Sequence, residues 1–519
     1  MRRSENSRWW VVGFAVFFIA APAFAQVAPD PQAGLDAYIE AAMARWEVPG
    51  VSVAIVKDGE VVYAKGFGVR DLGEGGEVDA DTLFAIGSNT KAFTATAMGL
   101  LVEEGIVSWD DPVLRYMPEF QMYDPLVTRK ITIRDLLCHR SGLGTFEGDL
   151  TWFGSIYDRA EAIYRTRFLE PVFDFRTGFG YSNLMFLVAG EIIPRVTDSS
   201  WDDFIDQRLF SPLGMDRSNT SVAELEVIGN VATPHTRVGR EIVPIAHDDI
   251  DNMAPAGAIN SSANDMAKWL LLQTGSGVFG GKKIVDSAVI NETRTPHNLQ
   301  QVSNSAKELN PWTHFSAYGL GWGLSDYRGR LVVAHGGGLP GMVSSVAMLP
   351  EENLGVVVLT NFDLHGLRQS VVNHVIDAYL GADTVDWDDR FFDIIQKILD
   401  AREQAKAARD EARVEGTTPS HPLKDYVGRY TNTVYGDAEI TLADGVLILD
   451  PKAHPKVSGR LEHWQYDTFL CTWTDSFWDQ SLVYFELDDA GKVSTFRFTV
   501  RPDSLDTLEY VFVRQSETR

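Results

Sequence analysis

The sequence predicts a mixed α/β (α+β) domain followed by a small antiparallel β-barrel, and three observations carry that prediction. First, 519 residues exceed what one compact core holds at roughly 100–200 residues per domain. Second, from Gly34 to about residue 385, stretches with apolar residues at helical spacing alternate with short strand-like runs, and strands dominate the end of that region. Third, the last hundred or so residues hold short strand-like runs separated by turn signals at hairpin spacing, with Trp464, Trp473 and Trp478 among them.

The N-terminus reads as an export signal, residues 1–25. Arg2, Arg3 and Arg8 precede an apolar run from Trp9 to Ala21, and Ala23-Phe24-Ala25 supplies the small-x-small pattern that signal peptidase cuts, before Gln26. The run is shorter than the roughly 20 residues that span a bilayer, so a stable membrane anchor is not expected. A secreted, periplasmic protein is. The first domain, 26–385, opens with a helix over Gly34–Trp46 and a hairpin, Val51–Val56 with Val61–Gly68, joined at Asp58-Gly59. Helical stretches follow at Lys91–Glu104, Ala263–Gln273 and Gln369–Leu380, and strand-like runs at Leu331–Ala334, Val343–Met348 and Leu354–Thr360. A linker, 386–420, includes a charged, Ala-rich segment that reads as a solvated helix ending in Gly416-Thr417-Thr418-Pro419. The barrel, 421–519, turns at Asp444-Gly445 and Asp489-Ala490-Gly491.

Charge and cysteine usage limit the partners. Lys plus Arg number 46 against 72 Asp plus Glu, a net charge of −26, which repels phosphate backbones and anionic lipid headgroups; nucleic acid is a poor partner. Cys138 and Cys471 lie far apart without any Cys-x-x-Cys spacing, so neither a disulfide framework nor a zinc site is read. No metal or other cofactor is implied. Gly275-Ser276-Gly277-Val278-Phe279-Gly280 follows a helical stretch rather than a strand and lacks a dinucleotide-binding context. His247-Asp248-Asp249 reads as a solvated acidic loop, and Asp202-Asp203 and Asp388-Asp389 as surface charge.

Three segments carry chemistry. Ser88-Asn89-Thr90-Lys91 stands at the start of an apolar helical stretch, where residues one turn apart share a face, so hydroxyl and amine can converge. A buried lysine loses the solvation of its ammonium, and a neutral amine can then take the serine proton near neutral pH. The same tetrapeptide also occurs as a simple helix cap. Tyr181-Ser182-Asn183 lies at a loop-to-helix junction after Gly178-Phe179-Gly180; its phenol can relay a proton and its amide can bind a substrate carbonyl, although a core tyrosine beside a cap reads the same way. His335-Gly336-Gly337-Gly338 ends the strand-like Leu331–Ala334, and its glycines allow a substrate strand to approach. The N–H groups of Gly338 and Ser88 could then face one carbonyl oxygen as an oxyanion hole.

In that order and spacing these segments resemble the three active-site motifs of the class C β-lactamase and penicillin-binding protein superfamily. Ile131–Leu137, Ser141-Gly142-Leu143, Pro255-Ala256-Gly257 and Val356–Asn361 are similar to further family segments, over residues 30–385. The resemblance implies a sheet flanked by helices with an all-helical region beside it, and the site in the crevice between them. It also implies Ser88 as acylated nucleophile, Lys91 and Tyr181 as the proton-transfer pair, Asn183 and His335 as substrate contacts, and Gly338 N–H as oxyanion donor. Where β-lactamases carry Lys-Thr-Gly this chain has His335-Gly336-Gly337, so efficient β-lactam turnover is not expected. The histidine resembles that of the peptidase, D-aminopeptidase and esterase branches, where it titrates near neutrality. Tyr426-Val427-Gly428-Arg429-Tyr430 opens a segment similar to the lipocalin-like barrel of some of these peptidases.

The reading is an exported serine hydrolase acting on a small peptide or ester substrate through an acyl-enzyme. Amide cleavage is favoured. A carboxylesterase on short acyl esters is the first alternative, and a penicillin-binding receptor acylated without turnover the second. Peptidases of this branch act on small, D-residue-containing or linearised cyclic peptides, including linearised microcystin in one lineage. The motifs leave open which of Lys91 and Tyr181 is the base, and the oligomeric state.

Overall fold

The computed structural model describes residues 30–383, 385–475, 477–500 and 508–516. The export signal and its cleavage site lie outside them. Nine antiparallel strands form the main sheet, in the order Asn298–Gln300, Ser316–Tyr318, Gly323–Tyr327, Arg330–Leu339, Met342–Leu349, Leu354–Thr360, Gly50–Lys57, Glu60–Asp71 and Gly75–Glu77. The chain enters the middle of the sheet with the Gly50–Lys57 strand, which pairs with both Glu60–Asp71 and Leu354–Thr360. The hairpin turn sits at Asp58 and Gly59, both with positive φ (50° and 84°), as a two-residue turn between right-twisted strands requires.

Strand side chains alternate between faces, and here both faces are covered. Val51, Val53 and Ile55 pack with the helices Leu35–Trp46 and Leu367–Leu380 through Leu35, Ile39, Leu367 and Val371. Ala54 and Val56 point the other way, into the core built around the helices Thr90–Glu103, Asn183–Val196 and Ala263–Thr274. The expected helical layer beside the sheet is therefore present, and Thr90–Glu103 lies buried in its centre.

Two expectations need correction. The strand expected over Leu331–Ala334 runs from Arg330 to Leu339, straight through the three glycines. Its pairing with Met342–Leu349 holds the poor strand formers in place, Gly336 opposite Ser345 and Gly338 opposite Val343. Asp388 is not surface charge: it is buried at the start of the helix Trp387–Glu411 and accepts a 2.6 Å hydrogen bond from Trp46 Nε1.

The C-terminal region is a closed barrel of eight antiparallel strands from Gly428–Asn432 to Tyr510–Arg514, with the first strand paired to the last. Tyr430, Phe469, Phe485, Phe496 and Phe512 are buried in mutual ring contact, so aromatic side chains fill its interior. Cys471 is buried inside the barrel and Cys138 in the helical layer, both as free thiols. One end of the barrel docks on the segment after Gly148. Arg165 donates to the carbonyls of Thr433 and Val434, Ile156 N donates to Ala453 O, and the Phe153 ring meets Phe477 at 5.2 Å.

Gly337 is where the strand touches the chain leading to Ser88: a Cβ there would overlap the Ile86 carbonyl oxygen, whereas one at Gly336 meets its nearest neighbour, Ser344 O, at 3.7 Å. Gly337→Ala should therefore destabilise the protein by about 1–3 kcal/mol, as overpacking does, while Gly336→Ala stays close to the parent in urea-unfolding midpoint.

Candidate active site

Backbone geometry presents Ser88 at the mouth of a crevice. Gly87 has φ 52°, in the left-handed region, and turns the chain so that Ser88 sits in a short 3-10 turn, Gly87–Asn89, ahead of the buried helix Thr90–Glu103. A Cβ on Gly87 would come within 2.7 Å of Gly338 N, so serine turn and glycine strand are in close contact. Ser344 on the neighbouring strand ties the two: its hydroxyl donates to Ile86 O at 2.8 Å and accepts from Asn89 Nδ2 at 2.7 Å. The Ser182 hydroxyl caps the helix Asn183–Val196, which brings Tyr181 and Asn183 to the same place.

Lys91 lies beneath Ser88 and is completely buried, while Ser88 itself is half-buried. The amine is 3.0 Å from Ser88 Oγ, 2.6 Å from Asn183 Oδ1 and 2.9 Å from Ala256 O. Loss of hydration pushes the Lys91 pKa down to about 7, and the Asp149 carboxylate offsets this in part. A neutral amine has two N–H groups and one lone pair. Asn183 Oδ1 and Ala256 O can only accept, so they take the two hydrogens and leave the lone pair to the Ser88 hydroxyl.

Tyr181 is held the other way. Burial pushes its pKa well above the usual phenol value; the hydrogen bond with Ser88 lowers it and the Asp149 charge raises it again. Its ring lies 4.8 Å from Lys91 Nζ. The same enclosure therefore moves the two groups in opposite senses, the amine toward losing its proton and the phenol toward keeping it.

The expectation of a histidine titrating near neutrality at the third motif does not hold. Enclosure and the Lys91 charge push the His335 pKa down to about 3. His335 Nδ1 meets Gly336 O at 2.6 Å and so carries the hydrogen, and Nε2, 2.8 Å from the Tyr318 hydroxyl, accepts. The ring is neutral and oriented. The strand Gly323–Tyr327 pairs with Arg330–Ala334 only, so among the described residues His335–Leu339 is bonded along one edge and open along the other, where a substrate strand could add.

The structure thus brings Ser88, Lys91, Tyr181, Asn183, His335 and Gly338 together. Four contributors were not singled out from sequence: Asp149, His139, Tyr318 and the Ala256 carbonyl. Asp149 Oδ2 accepts from Asn183 Nδ2 at 2.7 Å. His139 Nδ1 accepts from Ser182 N at 3.0 Å and its ring lies tilted against Tyr181, with centroids 4.3 Å apart. Only Pro255-Ala256-Gly257 gave a signal beforehand, as a phrase without a role. The acidic loop expectation also changes: Asp248 lines a cleft with His247, Leu339 and Pro340, and burial together with the Asp475 charge pushes its pKa up to about 6.

A sheet covered by helices, with serine, lysine and tyrosine converging beside its glycine strand, defines a β-lactamase and transpeptidase-like fold. The sequence pattern called Beta-lactamase matches residues 35–377, and one called Domain of unknown function (DUF3471) matches residues 412–511. The chain is similar to the unguisins hydrolase ungD' of Aspergillus campestris, 31% identical over 422 residues covering 76% of this chain and 74% of that one. It is also similar to D-amino acid amidase from Ochrobactrum anthropi, at 25% identity and a TM-score of 0.57 over 68% of this chain and 99% of that one. The octameric penicillin-binding protein homologue from Pyrococcus abyssi shares the fold at 24% identity and a TM-score of 0.60, covering 93% and 99%. The chain belongs to the Beta-lactamase family of serine hydrolases.

Because the folded chain holds Lys91 with a pKa of about 7 and the unfolded chain releases it to about 10.4, the unfolded state binds more protons between those values. Stability gains from this site as pH rises through that window. Lys91→Met should remove that part of the slope, seen as a shallower rise of the urea midpoint between pH 7 and 10 than in the parent.

Proposed function

We propose that the protein is an exported serine hydrolase that cleaves amide bonds of peptides through an acyl-enzyme at Ser88. The observation that carries this reading is the Lys91 amine, its hydrogens directed to two carbonyl oxygens and its lone pair to the Ser88 hydroxyl. Lys91 takes the Ser88 proton as Oγ attacks the substrate carbonyl. The negative charge that develops on the carbonyl oxygen faces the N–H groups of Ser88 and Gly338. As the C–N bond breaks, Tyr181 gives its proton to the leaving amine and is reprotonated from Lys91. Water then attacks the ester on Ser88 with Lys91 again as base, releasing the acid and restoring the serine. Asn183 and His335 contact the substrate, whose backbone adds to the open edge of His335–Leu339.

The amide reading is favoured by a relative that is an amidase by name; the Tyr181 proton would serve a leaving amine and a leaving alcohol alike. The neutral His335 supplies no fixed positive charge for a β-lactam carboxylate, so a cephalosporin is expected to turn over poorly. Export is supported by the residue 1–25 pattern alone.

A time course with a peptide p-nitroanilide, a short chromogenic ester and a cephalosporin tests the reading. Sustained amide turnover is expected, with Ser88→Ala losing at least about 10³-fold in kcat/KM and all labelling by a fluorophosphonate. Ester turnover without amide turnover would make it a carboxylesterase, a single stoichiometric burst a receptor, and near-parent activity in Ser88→Ala would remove Ser88 as nucleophile.

A further inference from the structure

We propose that the barrel is a structural half of the active site: His454 fixes the Asp149–Thr151 turn, and Asp149 holds the Asn183 amide in the orientation that aims Lys91 at Ser88. This inference rests on the hydrolase reading of the Ser88 site.

The path is continuous in hydrogen bonds. His454 Nε2 lies 2.9 Å from the Leu150 carbonyl, so it carries the hydrogen and donates across the boundary between barrel and helical layer. The ring is buried, meets Trp478 edge-on at 5.1 Å, and has its pKa pushed down to about 4 by burial, so it stays neutral at working pH. Leu150 belongs to the short turn Asp149–Thr151, braced by the Thr151 hydroxyl on Gly148 O at 2.7 Å. Asp149 is itself buried, and both of its oxygens are engaged: Oδ1 accepts from Trp152 Nε1 at 2.9 Å, Oδ2 from Asn183 Nδ2 at 2.7 Å.

The chemistry of Asp149 is what makes it more than a brace. An asparagine amide can be flipped, and in the flipped state Asn183 would present N–H groups to Lys91 in place of an acceptor. A carboxylate accepts only, so Asp149 can pair with Asn183 Nδ2 alone, which forces Oδ1 onto the lysine. The lysine then has two acceptors for its two hydrogens and a lone pair left for Ser88. Asp149 also adds charge. The titratable groups facing Lys91 are Asp149, Tyr181, His139 and His335; burial holds the phenol protonated and the two imidazoles neutral. Asp149 is therefore the charged member of that set. Asp149 and His454 act through other groups and are positioning residues.

The full-length chain tests this with two readouts, the Lys91 titration followed by NMR of 13C-lysine-labelled protein and the fluorophosphonate acylation rate of Ser88. In Asp149→Asn the Lys91 titration should move to lower pH, because a charge that favoured the ammonium is gone, and acylation should slow by about ten- to a hundredfold. In His454→Leu, which keeps bulk without a donor, acylation should slow about tenfold, and His454→Gln, whose amide N–H can reach Leu150 O, should recover most of it. An unmoved Lys91 titration and parent acylation rate in folded Asp149→Asn would overturn the proposal. So would equal rates in His454→Leu and His454→Gln, which decide the matter alone if Asp149→Asn does not fold. A parent protein whose Ser88 is not labelled would refute the hydrolase reading instead, and the Lys91 titration would still report on Asp149.

Discussion

A primary amine sealed from water beneath a half-open serine is the constraint on which the site depends. Burying an ammonium is costly, and the least costly resolution is to release the proton when every remaining hydrogen has an acceptor. Asn183 Oδ1 and Ala256 O satisfy that condition with no hydrogen-bond donor to spare. The same burial that frees the lysine lone pair keeps the Tyr181 proton in place. One desolvated pocket therefore shifts in opposite senses two groups that are both protonated in water, which is what the proposed roles of base and acid require.

The fold supplies this pocket from segments far apart in sequence. The helix Thr90–Glu103 is buried on all sides in the helical layer and fixes Lys91; a capped helix start delivers Tyr181 and Asn183; and the glycine strand presses on the serine turn from the sheet. Glycine is required at Gly337 because backbone meets backbone there. The barrel is packed with rings rather than hollow, and its contacts converge on the segment that carries Asp149.

What could be read in the sequence is what short-range periodicity encodes. Ser88 and Lys91 are one helical turn apart, the Asp58-Gly59 turn announces its hairpin, and alternating apolar runs mark the central strands. The extension of the strand through His335–Leu339 is not legible in the sequence because glycines have no side chain to signal burial; pairing with Met342–Leu349 imposes the extended backbone. Asp149 and Tyr318 carried no signal, since neither lies at a telling spacing from Lys91 or His335 and only the folded chain brings them within hydrogen-bond reach. Asp248 and Asp388 looked solvated for the same reason. A histidine beside glycines carries no sequence sign of enclosure, and it is enclosure beside Lys91 that keeps His335 neutral.

The most direct test of the central claim is the pH dependence of the single-turnover acylation rate of Ser88 by a fluorophosphonate, whose own charge does not change between pH 5 and 9. A base with a pKa of about 7 requires the rate to rise about tenfold per unit below that pH and to level off above it. A rate that kept climbing to pH 9 or beyond, or that showed no limb near 7, would mean that the buried amine is not the group that takes the serine proton.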